Sequence, residues 1–172
     1  MTFKAYLLDL INGVPHGVYI ILLVVFCVGA IIMIGVSGWQ KGLGSALGLL
    51  LTEYVFLLYA STVIFRKAAK VRECDFTPFW SYSKPELLEE NIMNVVVFVP
   101  VGLLIGTQIT RISLLKGWLA AIAVGAGLSV GIETLQFVFK KGFSEVDDII
   151  HNTLGCAIGY GLLLLIKKAR CC

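Results

Sequence analysis

The sequence predicts an all-α polytopic membrane bundle of about five transmembrane helices, with one long interfacial loop. Three observations predict it. Hydrophobic residues make up 58% of the chain and charged residues 15%, with a mean hydropathy of +0.91. A soluble domain carries about a quarter charged residues, so there is too little charge here to cover a globule. Five apolar runs are each long enough for a hydrocarbon core of ~30 Å, which takes about 20 helical residues to cross. These runs are unbroken rather than alternating, unlike the strands of a membrane barrel. With 172 residues, the chain reads as a single membrane domain, 1–172. High hydropathy excludes disorder. The fourteen Lys and Arg are scattered over loops and run ends rather than gathered on one face, so no nucleic acid is expected as a partner and membrane lipids are.

The first span, 18–36, lies between a Pro15–His16 break and Ser37-Gly38-Trp39. The second, 43–65, opens at Gly42-Leu43-Gly44 and closes at Arg66-Lys67. The third, 92–109, is closed by Arg111, and the fourth, 114–139, by Lys140-Lys141-Gly142. The fifth, 149–166, runs into Lys167-Lys168-Ala169-Arg170. Basic residues at such ends snorkel towards headgroups, and Trp39, Trp80 and Trp118 sit where interfacial aromatics belong. Basic residues divide eight to six between the two sides, with Lys4 and Arg72 among the eight, a split too even to orient the bundle. Cys27 and Cys156 read as small apolar fillers, Cys74 lies in a loop, and Cys171 and Cys172 close the chain. No Cys-x-x-Cys occurs, and the odd count does not suggest a complete disulfide framework.

The connection 66–91 is far longer than its neighbours, and loops beyond about 12–15 residues are usually functional or disordered. Residues 66–72 read as a helical extension in the headgroups. Residues 76–82 are too aromatic for a solvated linker and are expected to rest on the membrane or fold over the bundle. Residues 84–90 read as a helix start, with Pro85 in the first turn and Glu86, Glu89 and Glu90 at the positive helix end.

Hydrophilic residues within the spans carry the functional signal, because each costs free energy in hydrocarbon unless paired or wet. Ser129, Glu133, Gln136 and Lys140 form one stripe at helical spacing, and Asp148, Asn152, Gly155 and Gly159 form another. Asn91, Asn94 and Phe98 share a face of the third span, above Pro100, where a kink is expected. Glu133 lies six residues inside its span, roughly 9 Å deep at 1.5 Å per residue. Alternation of spans puts all three stripes and the aromatic loop at one leaflet. The predicted site is therefore Glu133, Asp147 and Asp148 as acid–base residues, with Asn91, Asn94, Gln136, Asn152, Phe79 and Trp80 as ligand-binding residues. Plainer roles stand beside these: helix caps or glue for Asn91 and Asn94, an interhelical bridge for Gln136, and helix-dipole stabilisation for the aspartates. Glu53, in mid-span without a polar stripe, and His151, beside the aspartates, are further candidates.

Four segments in order resemble the VanZ-like membrane family over about 75–166. Asp75-Phe76-Thr77-Pro78-Phe79 is similar to its polar-x-x-Pro-Phe element, and the run from Asn91 through Phe98-Val99-Pro100-Val101-Gly102 to its Asn-rich Phe-x-Pro-x-Gly helix. Glu133-Thr134-Leu135-Gln136 is similar to its Glu-x-x-Gln element, and Asp147-Asp148 through Asn152-Thr153-Leu154-Gly155 to its Asp-Asp-x-x-x-Asn-Thr-x-Gly element. Two positions depart: Lys140-Lys141-Gly142 stands where many members carry an arginine, and Asp75 replaces a frequent asparagine. The resemblance implies a multi-pass protein of the bacterial inner membrane, linked with resistance to teicoplanin and related lipoglycopeptides, without a settled activity.

Three functions compete. The leading one is a polar pocket at one leaflet that binds an amphiphile, either a lipid-linked wall precursor or a lipoglycopeptide. A second is a membrane enzyme acting on a lipid-linked phosphate, with Glu133 and an aspartate as acid and base; only that reading calls for a cofactor, a divalent ion such as Mg²⁺. The third is a non-catalytic packing subunit or homo-oligomer, using Gly155 and Gly159 as a small-xxx-small face.

Overall fold

The computed structural model describes residues 8, 11–71, 73–109 and 112–170. Lys4, Arg72, Arg111, Cys171 and Cys172 lie outside the described residues, as does the side chain of Glu86. Among the described residues, five helices are long and apolar enough to cross a membrane. They are α1 (His16–Ser37), α2 (Trp39–Tyr59), α3 (Leu88–Gln108), α4 (Leu114–Phe139) and α5 (Val146–Arg170). A π-helical turn, Ala60–Ile64, carries α2 onward.

The turn between α1 and α2 is tighter than expected. One residue, Gly38, separates the helices, and its φ of 75° is a conformation that glycine adopts without strain. The link expected over 37–42 is accordingly almost all helix. Gly42 lies on the backbone of Ile34, where a Cβ would come within 2.4 Å of Ile34 Cα. No side chain of α1 is buried. The apolar core is instead shared by α2–α5 and the π-helical turn, and includes Leu58, Val63, Phe98, Val101, Ile105, Ala121, Ile132, Cys156 and Tyr160.

α3 and α5 pack backbone to backbone. A Cβ on Gly155 would lie 2.1 Å from the Val95 carbonyl oxygen, and one on Gly159 2.0 Å from that of Val99. The glycine end of the α5 stripe therefore admits α3. α3 continues as a helix through Pro100, and Tyr54 of α2 donates to the Val97 carbonyl at 2.7 Å, three residues earlier.

The long connection departs from expectation in two ways. Residues 65–71 form bends and irregular backbone rather than a helical extension, whereas helical backbone does begin at Pro85, as a 3-10 turn, Pro85–Leu87, that runs directly into α3 at Leu88. In addition, β1 (Glu73–Asp75) pairs in parallel with β2 (Phe143–Glu145), opposing Cys74 to Ser144. Strands of three residues are too short for two-residue alternation to announce them. The ribbon, with the Ala69 amide donating to the Lys140 carbonyl at 2.6 Å, ties the loop to the α4–α5 turn.

Gly159→Ala is expected to lower stability by about 1–3 kcal/mol, as overpacking does. Thermal unfolding in detergent should show a reduced Tm, whereas Gly127→Ala, with nothing within 4 Å of its Cβ position, should melt like the parent.

Candidate functional site

The loop is held by the first turn of α5. Asp147, 0% exposed, accepts hydrogen bonds from the Phe79 amide, the Ser81 amide at 3.0 Å and the Ser81 hydroxyl. Asn91 of α3 donates to the same hydroxyl oxygen at 2.9 Å. Phe79 takes a left-handed conformation, φ 63°, which is strained for a bulky side chain and persists because its amide is fixed by the carboxylate. One turn along, His151 Nδ1 lies 2.6 Å from the Asp147 carbonyl oxygen. A carbonyl only accepts, so Nδ1 carries the proton, and Nε2 accepts from the Tyr82 hydroxyl at 2.9 Å.

A second set of bonds closes the α4–α5 turn. Glu133 Oε2 accepts the Glu145 amide at 3.0 Å, and the Ser144 hydroxyl donates to the Glu133 carbonyl at 3.2 Å. The Trp80 indole donates to Glu145 Oε2 at 3.2 Å. Its ring meets Phe143 edge-on and lies 4.2 Å below the Lys84 ammonium.

Arg66, read from the sequence as a snorkelling helix end, belongs to the candidate site instead. Its guanidinium rests against Gly142, where a Cβ would lie 2.8 Å from Arg66 Cζ. From there it lines a cavity shared with Glu133 and Asp148. An arginine thus stands beside the aspartate, although it comes from the end of the second span. The available signals were its placement in the same leaflet and a glycine three residues past the end of α4.

Two cavities meet at these groups. An outer cleft of about 400 Å³ is lined by Arg66, Glu73, Trp80, Lys84, Leu87, Glu90, Phe143, Glu145 and Asp148. An inner cavity of about 40 Å³ is walled by polar residues Glu133, Gln136, Asn94 and Asn152 and by apolar ones such as Phe98. Arg66, Glu90 and Asp148 line both. Asn94 donates to Asp148 Oδ1 at 2.7 Å, Gln136 to the Thr62 carbonyl at 3.2 Å, and Asn152 to the Ser129 hydroxyl at 2.8 Å. The amide oxygens Gln136 Oε1 and Asn152 Oδ1 are buried with no hydrogen-bond partner.

Of the residues expected at the site, Glu133, Asp148, Asn94, Gln136, Asn152 and Trp80 line one or other cavity. Asp147 and Asn91 line neither and hold the loop, and Phe79 is largely exposed. Glu53 is buried with Oε1 unpartnered, away from both cavities. Among the described residues, no three His, Cys, Asp or Glu side chains are grouped so as to hold a metal ion. Burial pushes the Glu145 carboxyl up to about 7, helped by Glu90, Asp147 and Glu133 and opposed by the Trp80 hydrogen bond.

Two expectations follow from this geometry. Asp147→Asn should release the loop, a loss of about 1–3 kcal/mol of local stability for a buried polar group left underbonded. Hydrogen exchange should then quicken at the amides of Phe79 and Ser81 and stay unchanged in the middle of α5. An acid whose folded pKa lies above its unfolded value of about 4.3 opposes folding once the unfolded form ionises. Stability should therefore fall as pH rises from there towards 7, and Glu145→Gln should flatten that slope in melts taken across the range.

A model of the VanZ/LLP1 family matches residues 16–167. Protein VanZ of Enterococcus faecium is 30% identical over 134 residues, which span 71% of this chain and 79% of that protein. No solved structure matches. The family match begins with α1 and takes in the loop and the walls of both cavities. The chain belongs to the VanZ/LLP1 family and is a multi-span membrane protein of that family.

Proposed function

We propose that this protein binds the headgroup of a membrane amphiphile in the outer cleft, at one leaflet of the bacterial inner membrane. The observation that carries this reading is the cleft itself: about 400 Å³, bounded by the ends of the spans and roofed by Trp80 of the aromatic loop. That volume lies within the range of small-molecule sites, ~300–1,000 Å³. Its lining joins an apolar side, Trp80, Leu87 and Phe143, to charged groups of both signs. An amphiphile presents the same combination, with acyl chains running down the lipid-facing helices while the polar end turns inward.

The class of ligand is a lipid-linked wall precursor or a lipoglycopeptide, and sequestering or displacing either one would support teicoplanin-type resistance. An outward-facing cleft suits antibiotics that act outside the cell. In a sensitive host protected by this protein, Asp148→Asn and Glu133→Gln, expressed at parental levels, are expected to lower the inhibitory teicoplanin concentration at least about fourfold, the loss of roughly one ordinary hydrogen bond's worth of binding. Full protection by both variants would overturn the reading.

A further inference from the structure

The two cavities differ tenfold in volume, about 400 and about 40 Å³, and this difference restricts what the bound headgroup can be. The inner one is too small for a sugar or a phosphate and suits a single small group, since a water molecule's share of liquid is ~30 Å³. Its walls are rich in acceptors. Gln136 and Asn152, 3% and 5% exposed, each bring a buried amide oxygen that nothing satisfies. The Gln136 orientation is fixed, because its nitrogen donates to a backbone carbonyl that cannot donate in return. Three acidic side chains, Glu90, Glu133 and Asp148, line the same cavity against one basic one, Arg66. The outer cleft repeats the imbalance, with four acids against Arg66 and Lys84. Glu145, pushed up to about 7 chiefly by burial, is raised further by the neighbouring acids Glu90, Asp147 and Glu133.

From these groups we infer that the amphiphile bound in the outer cleft carries a primary ammonium, and that the inner cavity lined by Gln136, Asn152, Glu133 and Asp148 is its seat. The inference rests on the amphiphile-binding reading above. A primary ammonium has three N–H donors on one compact charge, enough for both amide oxygens and a carboxylate together. A quaternary ammonium has no N–H and is bulkier, so it leaves both oxygens unsatisfied. An anionic or hydroxyl headgroup supplies either the wrong charge or too few donors. Lys84, which lines the outer cleft alone, and Arg66, which lines both cavities, are the cations on hand for a phosphate carried by the same headgroup.

The test is calorimetric titration of the full chain in detergent with dihexanoyl phosphatidylethanolamine, dihexanoyl phosphatidylcholine, dihexanoyl phosphatidylglycerol and free ethanolamine. Phosphatidylethanolamine is expected to bind at least about tenfold more tightly than the choline and glycerol lipids, because the site hydrogen-bonds groups those two lack. Gln136→Met should reduce its affinity to that of phosphatidylcholine. Gln136→Glu, which keeps an acceptor at that position, should retain the preference, so that loss of fold and loss of recognition are told apart. Equal affinity for the three lipids overturns the ammonium seat and leaves amphiphile binding standing. Absence of saturable binding by every lipid overturns both when ethanolamine also fails to bind. Ethanolamine binding without any lipid supports the seat and overturns the amphiphile as its source.

Discussion

The arrangement depends on one buried charge, the carboxylate of Asp147 at the first turn of α5. With 0% exposure it has no water to solvate it, so its lone pairs must be met by donors from the protein. Those donors come from a single stretch of loop, Phe79 and Ser81, together with whatever the positive end of its own helix contributes. A hydrogen bond to a charged group is worth about 1.5–3 kcal/mol, enough for several together to hold Phe79 in a backbone conformation it would otherwise avoid. The positions of Trp80 and Tyr82 follow directly. With Trp80 go the roof of the outer cleft and its contacts with Glu145, Phe143 and Lys84.

Adjacent aspartates then divide the work. Successive residues on a helix point about 100° apart, so Asp147 and Asp148 face different neighbours. The first is turned to the loop; the second receives an amide hydrogen from Asn94 and lines both cavities. Asn91 and Asn94, three apart on α3, make the same division, one on Ser81 and the other on Asp148. A pair that reads as redundant in the sequence is one structural residue beside one that faces the site.

The spans were legible because hydropathy is a property of each segment alone, and five long apolar runs declare themselves without knowledge of their neighbours. The polar stripes were legible for a similar reason. Ser129, Glu133 and Gln136 on α4, like Asp148 and Asn152 on α5, recur at helical spacing, and span alternation fixes their common level. What escaped depends on partners far apart in the chain. Residues 73–75 gain strand character only from 143–145, Arg66 joins the acids only because Gly142 leaves it room, and the one-residue turn at Gly38 is a matter of a single torsion angle. The helical extension expected over 66–72 failed for this same reason. Residues there are tied to the α4–α5 turn, through Ala69 to Lys140 and Lys141 to the Arg66 carbonyl, in place of helical partners of their own.

The parallel ribbon also constrains the order of assembly. β1 precedes the third span and β2 follows the fourth, so the ribbon joins segments separated by two complete crossings of the bilayer. During synthesis the aromatic loop emerges, and α3 enters the membrane, while the strand and carboxylate that will anchor that loop are still untranslated. The cleft is consequently a product of late closure: the residues that fix its roof belong to the final hairpin of helices, so the roof can be anchored only once that hairpin is in place.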